Sequence, residues 1–338
     1  MQKTLVCVAN RIDEGVALAQ EAEAAGFDAI WATEFHNRDV YTWMAAMGQG
    51  TQSIAIGSGI AYAFVRPPVL VAAAAADVDE LTGGRVLLGL GTGTQRMNES
   101  WYGLPFAKPA ARMAEAVELI RATWDAARGP RLQHHGQFWD LDIAPFGRPH
   151  LARPRIPIYI AGVNALMART AGETADGYIG HPLSSRRYMR EVTHPAVERG
   201  LQRAGRARDA MTMANYLICA IHEKAEQARH EAALQIAFHA TVYTYRAIFE
   251  LHGFGAEREA IRAAFDRRDV PAMLGAVPAE MVDECAIAGT PEQCLEQFKR
   301  YDGMLDMAMF FAPSFAIPAA RVLENQRAIL ATFGAAAA

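Results

Sequence analysis

The amino-acid sequence predicts an α/β protein with a (β/α)8 TIM-barrel fold. Short apolar runs of the kind found in buried parallel strands recur eight times, and segments with helical periodicity lie between them. A chain of 338 residues suits one large domain, because barrels of this size are common. The predicted strands are Leu5–Ala9, Ala29–Ala32, Ile54–Gly57, Val86–Leu90, Ile158–Ala161, Gly177–Gly180, Tyr216–Ile221 and Leu305–Phe311.

The stretch from Ile54 to Gly93 illustrates how each element is assigned. Its first strand ends in small residues, two prolines begin a helix, two glycines end it, and RVLLGLGTG is a buried strand that opens into glycines. The predicted helices are Val16–Ala25, Trp43–Gln49, Val69–Leu81, Arg112–Ala127, Ala165–Thr174, Arg187–Ala204, Glu223–Leu251 and Glu292–Tyr301. Two insertions lengthen the pattern, at about 128–156, where RLQHHGQFWDLD predicts a hairpin, and at about 225–284.

Composition narrows the function classes. The net charge is −4 and basic residues do not cluster with aromatic ones, which argues against a nucleic-acid partner. Four widely spaced cysteines without a CxxC pair fit a reduced, cytoplasmic compartment. We find no apolar run long enough for a signal peptide or a membrane span. A small organic molecule is therefore the expected partner.

The candidate catalytic and binding residues directly follow the predicted strands, where barrel active sites form. Histidine is a residue type that can donate or accept a proton, and Glu34 lies two residues from His36, so the pair is a candidate for proton transfer; a hydrogen-bonded surface histidine is the alternative. Phe35, Phe64 and Trp101 indicate an apolar or aromatic substrate, or ordinary packing. No metal site is expected, because the histidines at 134 and 135 lack ligand spacing.

Glycines at 89, 91 and 93 alternate and do not meet the GxGxxG dinucleotide pattern. They permit either a tight turn at a strand end or the close approach of backbone N–H groups to a flat or anionic ligand. Arg66 also follows a strand, where a guanidinium can hold phosphate or carboxylate, unless it is a solvated surface arginine.

Taken together, GFDAIWATE, IGSGIAYAFVRPP, DELTGGRVLLGLGTG, IPIYIAGVNALMARTAGETADGYIGHP and AIAGTPEQCLEQFKRY resemble the bacterial luciferase-like superfamily of oxidoreductases across nearly the whole chain. The resemblance implies a barrel that binds FMN or the deazaflavin coenzyme F420 at the strand C-termini, usually as a homodimer. TEFHN and ADGYIGHPLSSRRYMREV look most like the branch of deazaflavin-dependent enzymes. Coenzyme F420 is therefore the expected cofactor, with FMN as the alternative.

The resemblance also implies roles for individual residues. A non-prolyl cis peptide bond at Gly59–Ile60 would form a bulge behind the cofactor ring, with Tyr62 beside it and Glu34 at a cofactor-contacting position. The remaining implied cofactor contacts are Thr92, Gly93 and Asn98 after the fourth strand, and Ala161, Gly162, Val163 and Asn164 near the phosphate after the fifth strand.

Two positions depart from the sugar-phosphate dehydrogenases of the deazaflavin group. Phe35 stands where those enzymes carry a histidine, with His36 one position later, and Thr94 stands where they carry a catalytic glutamate. Phosphosugar chemistry is therefore not expected. We expect hydride transfer between coenzyme F420 and a small organic substrate, with His36 assisting proton transfer; the alternatives are an FMN-dependent monooxygenase and a non-catalytic flavin-binding barrel.

Overall fold

The computed structural model describes residues 1–148 and 150–335. Residue 149, inside the first predicted insertion, and residues 336–338 lie outside the described part. By internal contacts the chain divides into two compact units. The first unit comprises Met1–Ile30, Gly180–His194 and Met213–Ala338, and the second unit comprises Trp31–Ile179 and Pro195–Thr212.

The strands confirm the predicted parallel barrel. Hydrogen-bonded neighbours follow the order β10-β9-β11-β1-β2-β3-β4-β7-β8, and a further β8–β9 pairing closes eight of these strands into a (β/α)8 barrel. The strands are β1 Gln2–Val6, β2 Ala29–Thr33, β3 Ala55–Tyr62, β4 Val86–Gly91, β5 Leu132–His135, β6 Asp140–Ile143, β7 Ile158–Gly162, β8 Gly177–Gly180, β9 Thr212–Ile221, β10 Ala286–Gly289 and β11 Met307–Phe311.

Helices follow the strands as the periodicity predicts. They are α1 Ile12–Ala24, α2 Val40–Gln49, α3 Pro68–Leu81, α4 Pro109–Ala126, α5 Ala165–Thr174, α6 Arg186–Tyr188, α7 His194–Arg203, α8 Ala225–Ala240, α9 Arg246–His252, α10 Gly255–Asp266, α11 Val270–Gly275, α12 Ala279–Cys285, α13 Pro291–Lys299 and α14 Ala319–Phe333. Short π-helical turns occupy Met97–Trp101 and Met189–Thr193.

The structure differs from several predicted elements, and the predicted helix Glu223–Leu251, for example, is divided into α8 and α9. β1 ends three residues before the predicted end at Ala9, because the side chain of buried Gln326 bonds both backbone groups of Val8, at 2.8 and 2.7 Å. α14 does not appear among the predicted helices, and β10 adds a short strand beside β9. The predicted hairpin is confirmed as antiparallel β5–β6.

The second unit shows why its helices pack as they do. Pro67 and Pro68 start α3, which then buries Ala72, Ala75 and Ala76. Small side chains allow α4 to approach closely, and the Trp124 indole N–H donates to the Ala72 carbonyl at 2.9 Å. These contacts pack α3, the helix that connects β3 to β4, against α4.

All four cysteines are buried, and no disulfide joins any of them within the described residues. Among the residues described, no helix is both long and apolar enough to cross a membrane.

Candidate active site

Glu34 links the loops that follow β2 and β3. One carboxylate oxygen accepts a hydrogen bond from the Tyr62 backbone N–H at 2.6 Å, and the other accepts from Arg66 Nη2 at 2.6 Å. Only 4% of the Glu34 side chain is exposed, so the carboxylate of this ion pair is shielded from water, whereas Arg66 is 26% exposed. Arg66 Nη2 also contacts the Asp39 carboxylate at 2.6 Å. The cationic fork is therefore held by two carboxylates on the β2–α2 connection.

Three buried polar atoms around this junction have no hydrogen-bond partner within the described residues: Tyr41 Oη, Arg66 Nη1 and Asn98 Oδ1. The Arg66 guanidinium lies over the Tyr41 ring, 5.3 Å from its centroid. Burial raises the pKa of Tyr41, which keeps its hydroxyl protonated as a donor. Buried polar groups are rarely left unpaired, so these atoms fit contacts to a polar ligand at this end of β2, β3 and β4.

β3 contains the bulge that the resemblance implies. Its register with β4 shifts between Gly57, opposite Leu87, and Ala61, opposite Leu90, so one extra residue is accommodated in β3. The Ser58 hydroxyl donates to the Gly89 C=O and accepts from the Gly89 N–H, both at 2.8 Å. These two backbone groups, which the bulge would otherwise leave without a partner, are thereby hydrogen-bonded.

The predicted cis peptide bond at Gly59–Ile60 is wrong. No peptide bond between described residues is cis. The bulge arises instead from the extra residue and the Ser58 side chain, which re-aim the strand with trans geometry. Ile60 packs across Gly91, where an added Cβ would come within 2.9 Å of the Ile60 side chain. The partly exposed Ile60 thus forms an apolar surface at the end of β3.

The loop after β4 is held by Asn98. Its Nδ2 donates to the carbonyls of Thr92 and Thr94 at 2.8 and 2.9 Å, and its buried Oδ1 has no hydrogen-bond partner within the described residues. Gly93 adopts φ +65°, a conformation that glycine takes without strain, and it lies close to both Asn98 and Tyr62. The β3 and β4 loops therefore meet at Tyr62, Gly93 and Asn98.

Phe35, His36 and Trp101 form an exposed aromatic cluster. Their ring centroids are 4.6 Å (Phe35–His36), 5.2 Å (Phe35–Trp101) and 5.2 Å (His36–Trp101) apart. Phe35 is 44% exposed and Trp101 41%, which is unusual for large apolar side chains. His36 contacts these rings, whereas the Glu34 oxygens are occupied by Tyr62 and Arg66. The structure therefore separates the predicted Glu34–His36 pair into a buried anchor and an exposed imidazole.

Phe64 takes a different environment from the other two predicted substrate contacts. It is buried, packs against Phe106 at 6.2 Å, and lies under the Arg112 guanidinium at 4.5 Å. Its contacts are those of packing beneath the site, the alternative that the sequence left open.

The loop after β7 lies beside the β4 loop, because Leu90 pairs with Ile160. Within Ala161, Gly162, Val163 and Asn164, the Gly162 carbonyl accepts from the Tyr178 hydroxyl at 2.6 Å, and the Asn164 side chain caps α5 by accepting from the Met167 N–H at 2.9 Å. The Asn164 side chain therefore already bonds one of the backbone N–H groups at the start of α5.

Sequence reasoning did not foresee the Glu34–Arg66–Asp39 arrangement or the packing of Tyr102 against Tyr62 at 6.1 Å. The signal for the Glu34–Arg66–Asp39 arrangement was present, since Arg66 follows a strand and two carboxylates follow the neighbouring strand.

His134 and His135 each contact a separate carboxylate, Glu115 and Asp140. Among the described residues no group of three metal-ligating side chains gathers.

The described part of the barrel thus places unpaired buried polar atoms and a bulged third strand at the C-terminal ends of neighbouring strands, where barrel active sites form. Residues 2–306 match the family model described as luciferase-like monooxygenase, and the chain belongs to this family. A 5,10-methylenetetrahydromethanopterin reductase of Archaeoglobus fulgidus is 31% identical over 285 residues, covering 82% of each chain.

Two solved structures share the fold. The coenzyme F420-dependent tetrahydromethanopterin reductase of Methanopyrus kandleri superposes with a TM-score of 0.83 at 22% identity, covering 97% of this chain and 98% of that one. The oxygenating constituent of 3,6-diketocamphane monooxygenase of Pseudomonas putida, in complex with FMN, gives a TM-score of 0.71 at 15% identity, covering 99% and 98%.

Proposed function

We propose that the protein is a coenzyme F420-dependent oxidoreductase that transfers a hydride between the deazaflavin and a small organic substrate. The observation that carries this proposal is the 31% identity to a methylenetetrahydromethanopterin reductase over most of both chains. The high TM-score to a reductase whose name states dependence on coenzyme F420 supports the same cofactor.

The residues of the second unit fit such a cofactor. Ile60 offers an apolar surface for one face of a ring system, and the unpaired atoms of Tyr41, Arg66 and Asn98 offer two donors and one acceptor. Gly93 keeps the β4 loop free of a side chain, and the start of α5 with Ala161–Asn164 suits a phosphate. The bound deazaflavin would supply the ring that accepts or releases the hydride.

The remaining residues serve binding and proton transfer. Glu34 fixes Tyr62 and Arg66, so that both keep the orientation a cofactor requires. His36 holds or delivers the proton that accompanies reduction of a carbonyl or imine, and its imidazole is accessible for this. Phe35 and Trp101 give the adjoining apolar wall and exclude water from the substrate.

An FMN-dependent monooxygenase is the second candidate, and the family description and the FMN-bound neighbour favour it. A third possibility is a barrel that binds a flavin without turnover. Anaerobic assays that follow the absorbance of reduced and oxidised coenzyme F420 across alcohols, aldehydes, imines and enones separate these. Turnover of coenzyme F420 without oxygen supports the proposal. Oxygen-dependent turnover with FMN supports the monooxygenase, and cofactor binding without any turnover supports the non-catalytic flavin-binding barrel.

We further propose that the chain acts as a cytoplasmic homodimer and forms one luciferase-like domain. In this view the segments at about 128–156 and 225–284 are insertions into the barrel. The β5–β6 hairpin and the helices α8–α12 lie in these segments. Sedimentation velocity checks the dimer, since a monomer at micromolar concentration contradicts it.

A further inference from the structure

A second cluster of titratable side chains lies in the first unit. His181 directly follows β8 and His239 lies near the end of α8. Their ring centroids are 5.0 Å apart, and the Tyr245 ring lies 3.8 Å from that of His181. Phe311, the last residue of β11, packs 6.4 Å from His239 and 5.9 Å from Tyr216. We call these five residues, His181, Tyr216, His239, Tyr245 and Phe311, the imidazole cluster.

The hydrogen bonds of His181 determine which nitrogen carries its proton. Its Nδ1 accepts from the Leu183 backbone N–H at 3.1 Å. A neutral imidazole that accepts at Nδ1 carries its proton on Nε2. His181 therefore presents a donor at Nε2.

Gln235 determines the tautomer of His239. The Gln235 side-chain oxygen accepts from the N–H groups of Ser314 and Phe315 at 2.9 and 3.2 Å, which orients the amide. Its NH2 group then faces His239 Nε2 at 3.0 Å and donates to it. His239 consequently carries its proton on Nδ1. Gln235 is buried, so this orientation is held by the protein interior.

Both imidazoles are held neutral. Burial, followed by the proximity of His239, lowers the pKa of His181 well below its usual value. Burial lowers the pKa of His239 to about 4. Each neutral ring accepts a hydrogen bond at one nitrogen and carries its single N–H on the other. Neither N–H has a partner in the described residues. Both rings are half-buried, so a ligand can reach them.

We propose that His181 Nε2–H and His239 Nδ1–H form a binding site for an oxygen acceptor, a carboxylate or carbonyl, carried on a flat apolar group. Phe311, Tyr216 and Tyr245 supply the aromatic surroundings that such a group packs against. Gln235 is a positioning residue, because it acts only through the tautomer of His239. The site stands independently of which cofactor the protein uses.

The tautomers are tested first, in protein labelled with ¹⁵N-histidine. Long-range ¹H–¹⁵N correlation spectra should show His181 as the Nε2–H form and His239 as the Nδ1–H form. Gln235→Glu keeps the acceptor for Ser314 and Phe315 but removes the donor, so the proton of His239 should move to Nε2. The reverse tautomers in the parent protein would overturn the assignment.

Binding is tested by titrating the labelled protein with benzoate and benzamide, an aromatic carboxylate and an aromatic amide carbonyl. Saturable shifts at both histidines are expected with at least one probe, and benzylamine, which has the ring but no oxygen acceptor, should give none. The probe that binds more tightly identifies the charge of the ligand group.

Variants make the test specific. His181→Phe and His239→Phe keep an aromatic ring and should each weaken probe binding about tenfold or more. His222→Phe is the matched control, because His222 Nδ1 accepts from the Lys224 N–H in the same local motif outside the cluster. Unchanged affinity in both cluster variants, or no shift with either probe, would refute the site. Coenzyme F420 binding is measured in parallel, and its failure alone refutes only the proposed function.

Discussion

At the residue scale, a few polar side chains hold the site together through hydrogen bonds and ion pairs with one another and with the backbone. Glu34 accepts two hydrogen bonds, Arg66 joins it to Asp39, and Asn98 spans the β4 loop. The sequence indicated Glu34 and Asn98 through their positions after strands. It could not indicate their partners, because Glu34 and Tyr62 are 28 positions apart and meet only when β2 and β3 pair.

Glu34→Gln tests the anchor. The substitution keeps the shape but leaves Arg66 with Asp39 alone, and it places an amide where a carboxylate accepts from the Tyr62 N–H. Because Arg66 is 26% exposed and retains one partner, the loss should be about 1–3 kcal/mol in the free energy of unfolding, below that of a fully buried pair. Urea denaturation measures it.

The matched control is Asp142→Asn, which breaks the exposed ion pair with Arg131. It should leave stability within error. An equal loss in the two variants would mean that Glu34 is an ordinary surface charge.

His36→Phe tests proton transfer. Phenylalanine preserves the ring contacts with Phe35 and Trp101, so cofactor binding and stability should stay unchanged while kcat falls by about 10²–10⁴-fold. Steady-state kinetics and a cofactor titration measure the two effects separately. His135→Phe, at an exposed histidine that contacts Asp140, is the control. Parent-like turnover by the His36 variant would remove the residue from the mechanism.

At the scale of elements, the β3 bulge organises the site. Gly89 permits it, since a Cβ at this position would lie 2.1 Å from the Ser58 backbone oxygen. Ser58 then completes the hydrogen bonds of Gly89. The bulge carries Ile60 over Gly91 and places the Tyr62 N–H against Glu34.

Gly89→Ala should therefore destabilise the protein by about 2–3 kcal/mol, because the backbone of β3 must move. It should also weaken cofactor binding. Gly275→Ala, in α11 with no neighbour within 4 Å of the added Cβ, should be neutral or slightly stabilising. Thermal unfolding of the two variants checks this, and a tolerated Gly89→Ala would contradict the packing described here.

The secondary-structure elements also show which parts of the fold can be predicted from sequence patterns. The eight barrel strands and most helices were predicted, because apolar runs and helical periodicity report burial directly. α14 was missed because its buried face includes Asn325 and Gln326, polar residues that bond the backbone at Ile221 and Val8. The bulge at Ile60 was predicted from resemblance, but the Ser58–Gly89 hydrogen bonds that accompany it were not, because they join residues 31 positions apart in the chain.

At the scale of the whole molecule, half-buried neutral histidines make stability depend on pH. The pKa of His239 is lowered from 6.5 to about 4 in the folded state. As pH falls from about 6.5 to about 4, the unfolded chain takes up a proton that the folded chain does not, so stability falls. Above pH 6.5 both states are neutral and this contribution is constant.

His239→Phe should thus flatten the acid limb of stability between those pH values. Urea midpoints measured at several pH values, with the exposed His230→Phe as control, test this. Identical acid limbs in the parent and the His239 variant would contradict a neutral imidazole with a lowered pKa at this position.

The central claim is that the second unit holds a deazaflavin. All five tryptophans, Trp31, Trp43, Trp101, Trp124 and Trp139, lie in that unit, so quenching of their fluorescence reports binding there. The most direct measurement is a titration of the purified protein with coenzyme F420 and, separately, with FMN. We expect saturable quenching, with tighter binding of coenzyme F420 than of FMN. Binding of coenzyme F420 should be weaker in Asn98→Ala. Tighter binding of FMN, accompanied by oxygen consumption once the flavin is reduced, would contradict it.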